Sequence, residues 1–242
     1  MPPPVLVPVP EAGRVFRHPA MVGLGDVSPA GRARLDAVAR WLQDAAWADW
    51  VDAGLDDGGV WIVRRLHLRV ERFPRFSEAL EVATFCSGTG RLWAERRSTL
   101  RGVAGALVEA VAVWVHLDAR GVRPRPLPAG FEAVYGAAAA GRRVSARLSH
   151  PGAPPPGASE RPWRFRAADL DLAGHVNNAV YWQALEEELI DAEPAGGLVC
   201  EIEHRAAADA GAAAILSAGS RRWIAGPDGE VLATLALGDG AA

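Results

Sequence analysis

Residues 169–178, reading DLDLAGHVNN, bring two carboxylates, an imidazole and two carboxamides into ten consecutive positions. A carboxylate beside an imidazole can hold, accept or deliver a proton, and a desolvated carboxylate can also attack an acyl carbon. The stretch runs into residues 179–191, where Val180, Tyr181, Ala184, Leu185 and Ile190 recur at helical spacing. Glu186, Glu187 and Glu188 fall mostly off that face. Asn177 or Asn178 is a fitting N-cap, because a short side-chain oxygen satisfies amides left free in a first turn. Asp171 and His175 are then expected just ahead of a helix N-terminus, whose amides and dipole favour developing negative charge. A lone D-x-D turn is more often a simple cap, but the full string D-L-D-x-x-G-H-V-N-N-x-x-Y-W over residues 169–182 holds more chemistry than a cap needs.

The rest of the chain must place that segment. Of 242 residues, 50% are hydrophobic and 23% charged, as in a globular protein with a sizeable core. The net charge of -3 gives no basic field for nucleic acid. Every basic residue is arginine, which excludes lysine Schiff bases and the P-loop. Cys86 and Cys200 are too few for a disulfide framework or a cysteine zinc site; one disulfide is open to them, but two buried free thiols fit better and suit a reducing cytoplasm. The start, MPPPVLVPVPEAG, has no basic region and no proline-free apolar core, so it reads as a mobile polyproline-like arm and not as a signal peptide. The apolar run 106–117 is too short to cross a membrane and contains Glu109. The expected location is cytoplasmic.

Along the chain, residues 14–21 read as an entering strand. Ser28 is the expected N-cap and Pro29 the first residue of a long helix, with Leu35, Val38, Ala39, Leu42, Ala45 and Ala46 at helical spacing and Gly54 as its stop. Four strands follow at 60–70, 80–86, 91–100 and 106–117, the last apolar on both faces and so expected in the sheet interior. Residues 123–160 are proline-rich around a possible short helix, FEAVYGAAAAGRRVSARL, and read as a linker. The second half then repeats the order: a strand at 163–166, the Asp-His segment, a helix to Asp191, and strands at 198–204, 213–224 and 230–237. WIAGPDGEVLATLAL (223–237) parallels LRGVAGALVEAVAVW (100–114) as strand, glycine turn, Glu, strand. Asp26 stands in the first half where the acidic string stands in the second, but no histidine or paired asparagines follow it. The expected division is an arm (1–11), a first domain (12–122), a linker (123–160) and a second domain (161–242) carrying the site.

Three segments resemble the acyl-acyl carrier protein (acyl-ACP) thioesterases of fatty acid synthesis, in that family's order. WIVRRLHLRVERFPRFSEALEVATFCSGTGRLWAERRSTL resembles its first-domain segment: a tryptophan-led strand, a basic R-x-P turn, then V-x-T and A-E-R-R. VEAVAVWVHLDARGVRPRPLPAGF resembles the strand and exit loop that close that domain, and DLDLAGHVNNAVYW the opening of the second. The resemblance implies an α+β fold of two tandem hot-dog domains, each a long helix wrapped by an antiparallel sheet. It implies hydrolysis of fatty acyl-ACP to free fatty acid and holo-ACP, by a monomer or homodimer, with no cofactor or metal. Asp171 matches the family's catalytic aspartate, His175 its motif histidine, and Asn177 and Asn178 its paired asparagines, which the resemblance assigns to the catalytic set (Asn177) and to substrate binding (Asn178). Two departures stand out. Plant members carry asparagine where this chain has Ala173, and adjacent Glu and Cys where it has Arg205 and Ala206. Cys200 is not their equivalent, so no cysteine nucleophile is expected.

On this reading Asp171 activates water or attacks directly, His175 polarises the carbonyl or positions the water, and amides at the Asn178 helix start serve the oxyanion. The acyl chain is expected against Val38, Trp41, Leu42 and Ala45, each of which serves equally well as a plain core residue. Arginines 64, 65, 69, 72 and 75 are candidates to face the acidic carrier and its phosphopantetheine, although exposed arginines are commonly just solvated. Acyl-CoA hydrolysis and a non-catalytic acyl-binding protein remain open alternatives. Hydratases and dehydratases also use this fold, but the dehydratase pattern of a histidine near an F-P-G turn is absent here, which favours hydrolysis.

Overall fold

The computed structural model describes residues 4–121, 123–190, 194 and 197–238. Elements in chain order are β1 (Phe16–Met21), α1 (Leu35–Ala53), β2 (Val60–Arg72), β3 (Ala79–Thr89), β4 (Trp93–Gly102), β5 (Leu107–Leu117), α2 (Phe131–Ala139), β6 (Ser159–Phe165), α3 (Gln183–Leu189), β7 (Leu198–His204), β8 (Gly211–Ala218), β9 (Arg221–Ala225) and β10 (Val231–Gly238). The ten strands among the described residues form one antiparallel sheet in the order β1-β3-β4-β5-β2-β7-β10-β9-β8-β6. Its first five positions and, read inward from the other edge, its last five follow the same pattern: strand, helix, then four strands. The two halves meet where β2 pairs antiparallel with β7, Arg65 opposite Glu203 and Leu68 opposite Cys200.

Side chains alternate across a strand, so β7 turns Cys200, Ile202 and His204 to one face and Glu201 and Glu203 to the other. The first face carries the core. Val38 and Leu42 of α1, Leu66 and Leu68 of β2, Cys200 and Ile202 of β7, and Ala184 and Leu185 of α3 belong to one buried cluster that crosses the seam. β5 lies inside the sheet between β4 and β2, as its apolar faces predict.

Four local expectations are revised. α1 begins at Leu35, not near Ser28, because Ser28 and Gly31 close a separate turn (Ser28 N–H to Arg32 O, Gly31 N–H to Ser28 O). No adjacent side chain caps α1; the Glu186 carboxylate of α3 accepts the Leu35 N–H at 2.9 Å. The stop at Gly54 holds, with φ 65 and its N–H on Val51 O. The expected strand 213–224 is two strands, broken at Gly219, whose φ of 54 makes the hairpin turn. The second helix is shorter than expected: a 3-10 turn, Val180–Trp182, leads into the seven residues of α3, and Asp191 lies outside the described residues. In the proline-rich stretch, Tyr135 of α2 donates to Asp49 at the end of α1 (3.0 Å). Beyond it the chain crosses the outer face of the sheet, held by Trp93 Nε1 on Val144 O and by Ser149 and His150 on Glu203.

Candidate active site

The D-x-x-x-H segment is a tight turn. Asp169 caps the 3-10 turn Ala167–Asp169 by accepting the Arg166 N–H at 2.7 Å. Leu170 then bridges Val176, Asp171 N–H donates to His175 O (2.8 Å), and Gly174 N–H returns to Asp171 O (2.9 Å). Gly174 has φ 76, a conformation open to glycine at no cost and strained for other residues. The Asp171 carboxylate accepts the Ala173 N–H at 2.8 Å, an Asx turn, while Leu172 stands fully exposed at the tip. Asp171 and His175 therefore sit on opposite arms of one exposed turn, joined by their backbone bond.

The His175 imidazole faces a carboxylate from a distant part of the chain. Its Nδ1 is 3.6 Å from Asp209 Oδ1. The two arrive together because Val176 N–H donates to Ala208 O, tying the turn to the chain after β7. No local sequence signal marks that pair, which is separated by more than thirty residues.

The two asparagines divide their work. Asn177 Oδ1 accepts the Ala179 N–H (2.9 Å) and its carbonyl accepts the Val180 N–H (2.9 Å), so Asn177 holds the turn into the helix. Those two amides are engaged and are not oxyanion donors. Asn178 lines an interior cavity of about 20 Å³ beneath α1, together with Leu42, Val63, Ala112, Trp114 and His204. From α1 the cavity takes Ala39, Leu42 and Gln43; Val38 and Trp41 are buried in the adjoining core and do not line it.

Neither thiol is available as a nucleophile. Burial pushes Cys86 up to about 11 and raises Cys200 further, next to Glu186 and Glu201. His204 goes the other way: burial, with help from Arg64, holds its pKa down to about 3, so the ring is neutral. On the outer face of the sheet, His150, Glu201 and Glu203 place nitrogen and oxygen atoms close enough to hold a metal. Those atoms already serve one another. His150 Nε2 lies 3.2 Å and His67 Nδ1 3.6 Å from Glu201, and Glu203 accepts from Ser149 N, Ser149 Oγ and His150 N. The cluster binds the crossing segment to the seam.

The five arginines after residue 63 are less uniform than an open patch. Arg64 donates to His204 O, Arg65 to Arg147 O and Arg75 to Ala30 O, while Arg69 pairs with Glu71. A separate open groove beside the Asp171–His175 turn is lined by Arg161, Arg164 and Arg166, by Trp163 and Gln183, and by the acids Asp169 and Glu187.

Comparison with known proteins decides the family. Residues 13–135 match the acyl-ACP thioesterase N-terminal domain and residues 154–193 the acyl-ACP thioesterase C-terminal domain. The chain belongs to the acyl-ACP thioesterase family. An uncharacterized protein of Mycobacterium tuberculosis is 28% identical over 185 residues, 76% of this chain and 74% of that one. Oleoyl-acyl carrier protein thioesterase 2 of Arabidopsis thaliana is 23% identical over 208 residues, 75% of this chain and 57% of that one. Among solved structures, the 12:0-ACP thioesterase from Umbellularia californica superposes with a TM-score of 0.73 at 20% identity, over 93% of this chain and 97% of the other. An acyl-ACP thioesterase from Bacteroides thetaiotaomicron gives 0.73 at 16% identity, over 92% and 96%. These likenesses show the fold of this thioesterase-family chain to be the hot-dog fold, α+β, with the two halves in tandem. Among the described residues no helix is long and apolar enough to cross a membrane.

Proposed function

We propose that the protein hydrolyses fatty acyl-ACP, releasing free fatty acid and holo-ACP, with Asp171 as the acid-base or nucleophilic group and His175 as its partner. One observation carries this reading beyond family membership. The exposed Asp171–His175 turn runs directly into Asn178, and Asn178 lines the cavity under α1. A thioester held at the turn would therefore direct its acyl chain inward past Asn178, toward Leu42.

In the general-base form, the Asp171 carboxylate takes a proton from water as the water oxygen attacks the thioester carbon. Collapse of the tetrahedral intermediate breaks the C–S bond, and the proton passes from Asp171 to the departing thiolate. His175, oriented by Asp209, and the Asn178 carboxamide supply hydrogen bonds to the carbonyl oxygen as it gains charge. In the nucleophilic form, Asp171 attacks first and water hydrolyses the mixed anhydride. Carrier protein is the proposed partner, with Arg164 and Arg166 meeting its acidic surface and phosphate beside the turn. The cavity is about the size of one water, so entry of an acyl chain requires side chains such as Leu42 and Trp182 to move aside.

A second reading has support of its own. Asp171 is exposed, its carboxylate serves the turn, and Ala173 brings no carboxamide to it. A non-catalytic acyl-binding protein would look the same at this position. Thiol release from acyl-ACP, measured for wild type and Asp171→Asn, separates the two: hydrolysis that needs Asp171 supports the enzyme, and acyl binding with no release from wild type supports the binder.

A further inference from the structure

The cavity under α1 is apolar at its floor and polar at its sides. Ala110 and Ala112 of β5 and Val63 of β2 leave space between two larger rings, Trp114 and His204. Trp114 pairs with Val63 across β5 and β2, and Arg64, the next residue, donates to His204 O on β7. The two rings thus stand on alternate strands at one level of the sheet, their backbones about 10 Å apart. Their polar atoms share an unusual state. Trp114 Nε1 and His204 Nε2 are both shielded from solvent, and neither has a hydrogen-bond partner among the described residues. His204 as a whole is only 8% exposed. Of the other polar groups on the cavity wall, Arg96 is engaged with Asp49 (2.6 Å) and Ser98 with Thr84 (2.8 Å), while Gln43 and Asn178 add carboxamides to the lining.

Buried polar atoms in native proteins are nearly always paired, and two orphans lining one cavity fit a partner held inside it. Trp Nε1–H only donates, whereas a neutral imidazole donates or accepts at Nε2 according to tautomer. An oxygen atom satisfies both: a keto oxygen accepts from each, and a hydroxyl accepts from Trp114 while exchanging a bond with His204 in either sense. A plain methylene chain satisfies neither and leaves both groups unpaired, which is how a site built for hydrogen bonding rejects the unsubstituted analogue. We propose that Trp114 and His204 form a subsite that reads an oxygen function, hydroxyl or keto, on the acyl chain, and that oxygen-substituted acyl groups are preferred over plain ones. Delivery of that chain past Asn178 rests on the hydrolase reading above; the binding preference does not.

The test uses the full-length protein and two readouts. Free fatty acids of one length, unsubstituted or carrying a hydroxyl or keto group at successive positions, are titrated by calorimetry. The corresponding acyl-ACPs are assayed for thiol release. At least one oxygenated isomer is expected to bind, and to turn over in kcat/KM, about tenfold or more better than the plain chain. In Trp114→Phe and His204→Phe, which keep a ring but lose the polar atom, that ratio falls toward one. His204→Gln restores part of it. Because each ratio is taken within one variant, a smaller folded fraction does not imitate the effect. A wild-type ratio near one in both readouts overturns the proposal and means that the two groups share only a bound water. A preference that persists unchanged in both phenylalanine variants overturns their role. Discrimination among free acids with no thiol release from any acyl-ACP would sink the hydrolase reading and leave this subsite standing. Vigorous release with no discrimination would do the reverse.

Discussion

Asp171 has two duties that a single substitution can separate. Its carboxylate accepts the Ala173 N–H in an Asx turn, and the same group is the proposed base. Asparagine keeps the carbonyl acceptor and removes the charge, whereas alanine removes both. Asp171→Asn is therefore expected to retain the wild-type melting temperature, and Asp171→Ala to lose about 1 kcal/mol, the usual worth of such a local bond. Chemical denaturation of the two variants checks this; equal loss in both would mean that the charge itself holds the turn. The Asp-His-Asn string was legible in the sequence because its chemistry lies within one turn. Asp209 was not, since it reaches His175 only through the Val176–Ala208 backbone bond. The interior pair Trp114 and His204 was equally hidden, because each is an ordinary strand residue until β2 brings the two strands to its flanks.

Periodicity located α1 and its glycine stop, and alternation located the strands, because those signals are local. The start of α1 is set from elsewhere. Glu186, 151 residues away from Leu35, caps it and at the same time takes Arg32 in a bidentate pair, Nη2 to Oε1 at 2.7 Å and Nη1 to Oε2 at 3.2 Å. Both side chains are essentially inaccessible to water, and the Arg32 guanidinium also lies over Phe73 at 4.8 Å. Removing one partner of such a pair strands a buried charge, so Glu186→Ala is expected to cost about 3–5 kcal/mol. The double variant Arg32→Met, Glu186→Leu is expected to recover most of that loss, and urea midpoints of the three proteins measure it. A small effect of Glu186→Ala would mean that water reaches the pair. Arg164 of β6 and Arg166, just past its end, are exposed beside the turn. Their joint reversal to glutamate is expected to raise KM for acyl-ACP roughly tenfold while leaving kcat within about twofold, with the wild-type KM rising with salt. A KM unchanged by reversal would place the carrier elsewhere.

The two halves form one molecule through the β2–β7 pairing, the shared core and the outer His-Glu cluster. Neither the seam nor the cluster follows from local pattern: β2 and β7 each read as strands, but their pairing is a property of the repeat as a whole. Glu201 reports on the seam. Burial works against its charge, but hydrogen bonds from His150 and His67, and the nearby Arg65, hold its pKa down to about 2 from an ordinary value near 4.5. The unfolded chain therefore binds a proton on this residue at a higher pH than the native protein does. Its stabilising contribution is full above about pH 4.5 and is lost as pH falls toward 2. By linkage the loss is on the order of 3 kcal/mol over that interval. Urea denaturation across this range should show a shallower decline for Glu201→Gln than for wild type, and parallel curves would contradict the assignment.

The central claim is that this chain cleaves acyl-ACP through Asp171. The most direct measurement follows thiol release from acyl-ACPs of varied chain length, with acyl-CoAs alongside, for wild type and Asp171→Asn. The predicted result is release by wild type that falls about a hundredfold or more in a folded Asp171→Asn protein. Release that continues near the wild-type rate in that variant, or no release by wild type from any thioester, would contradict it.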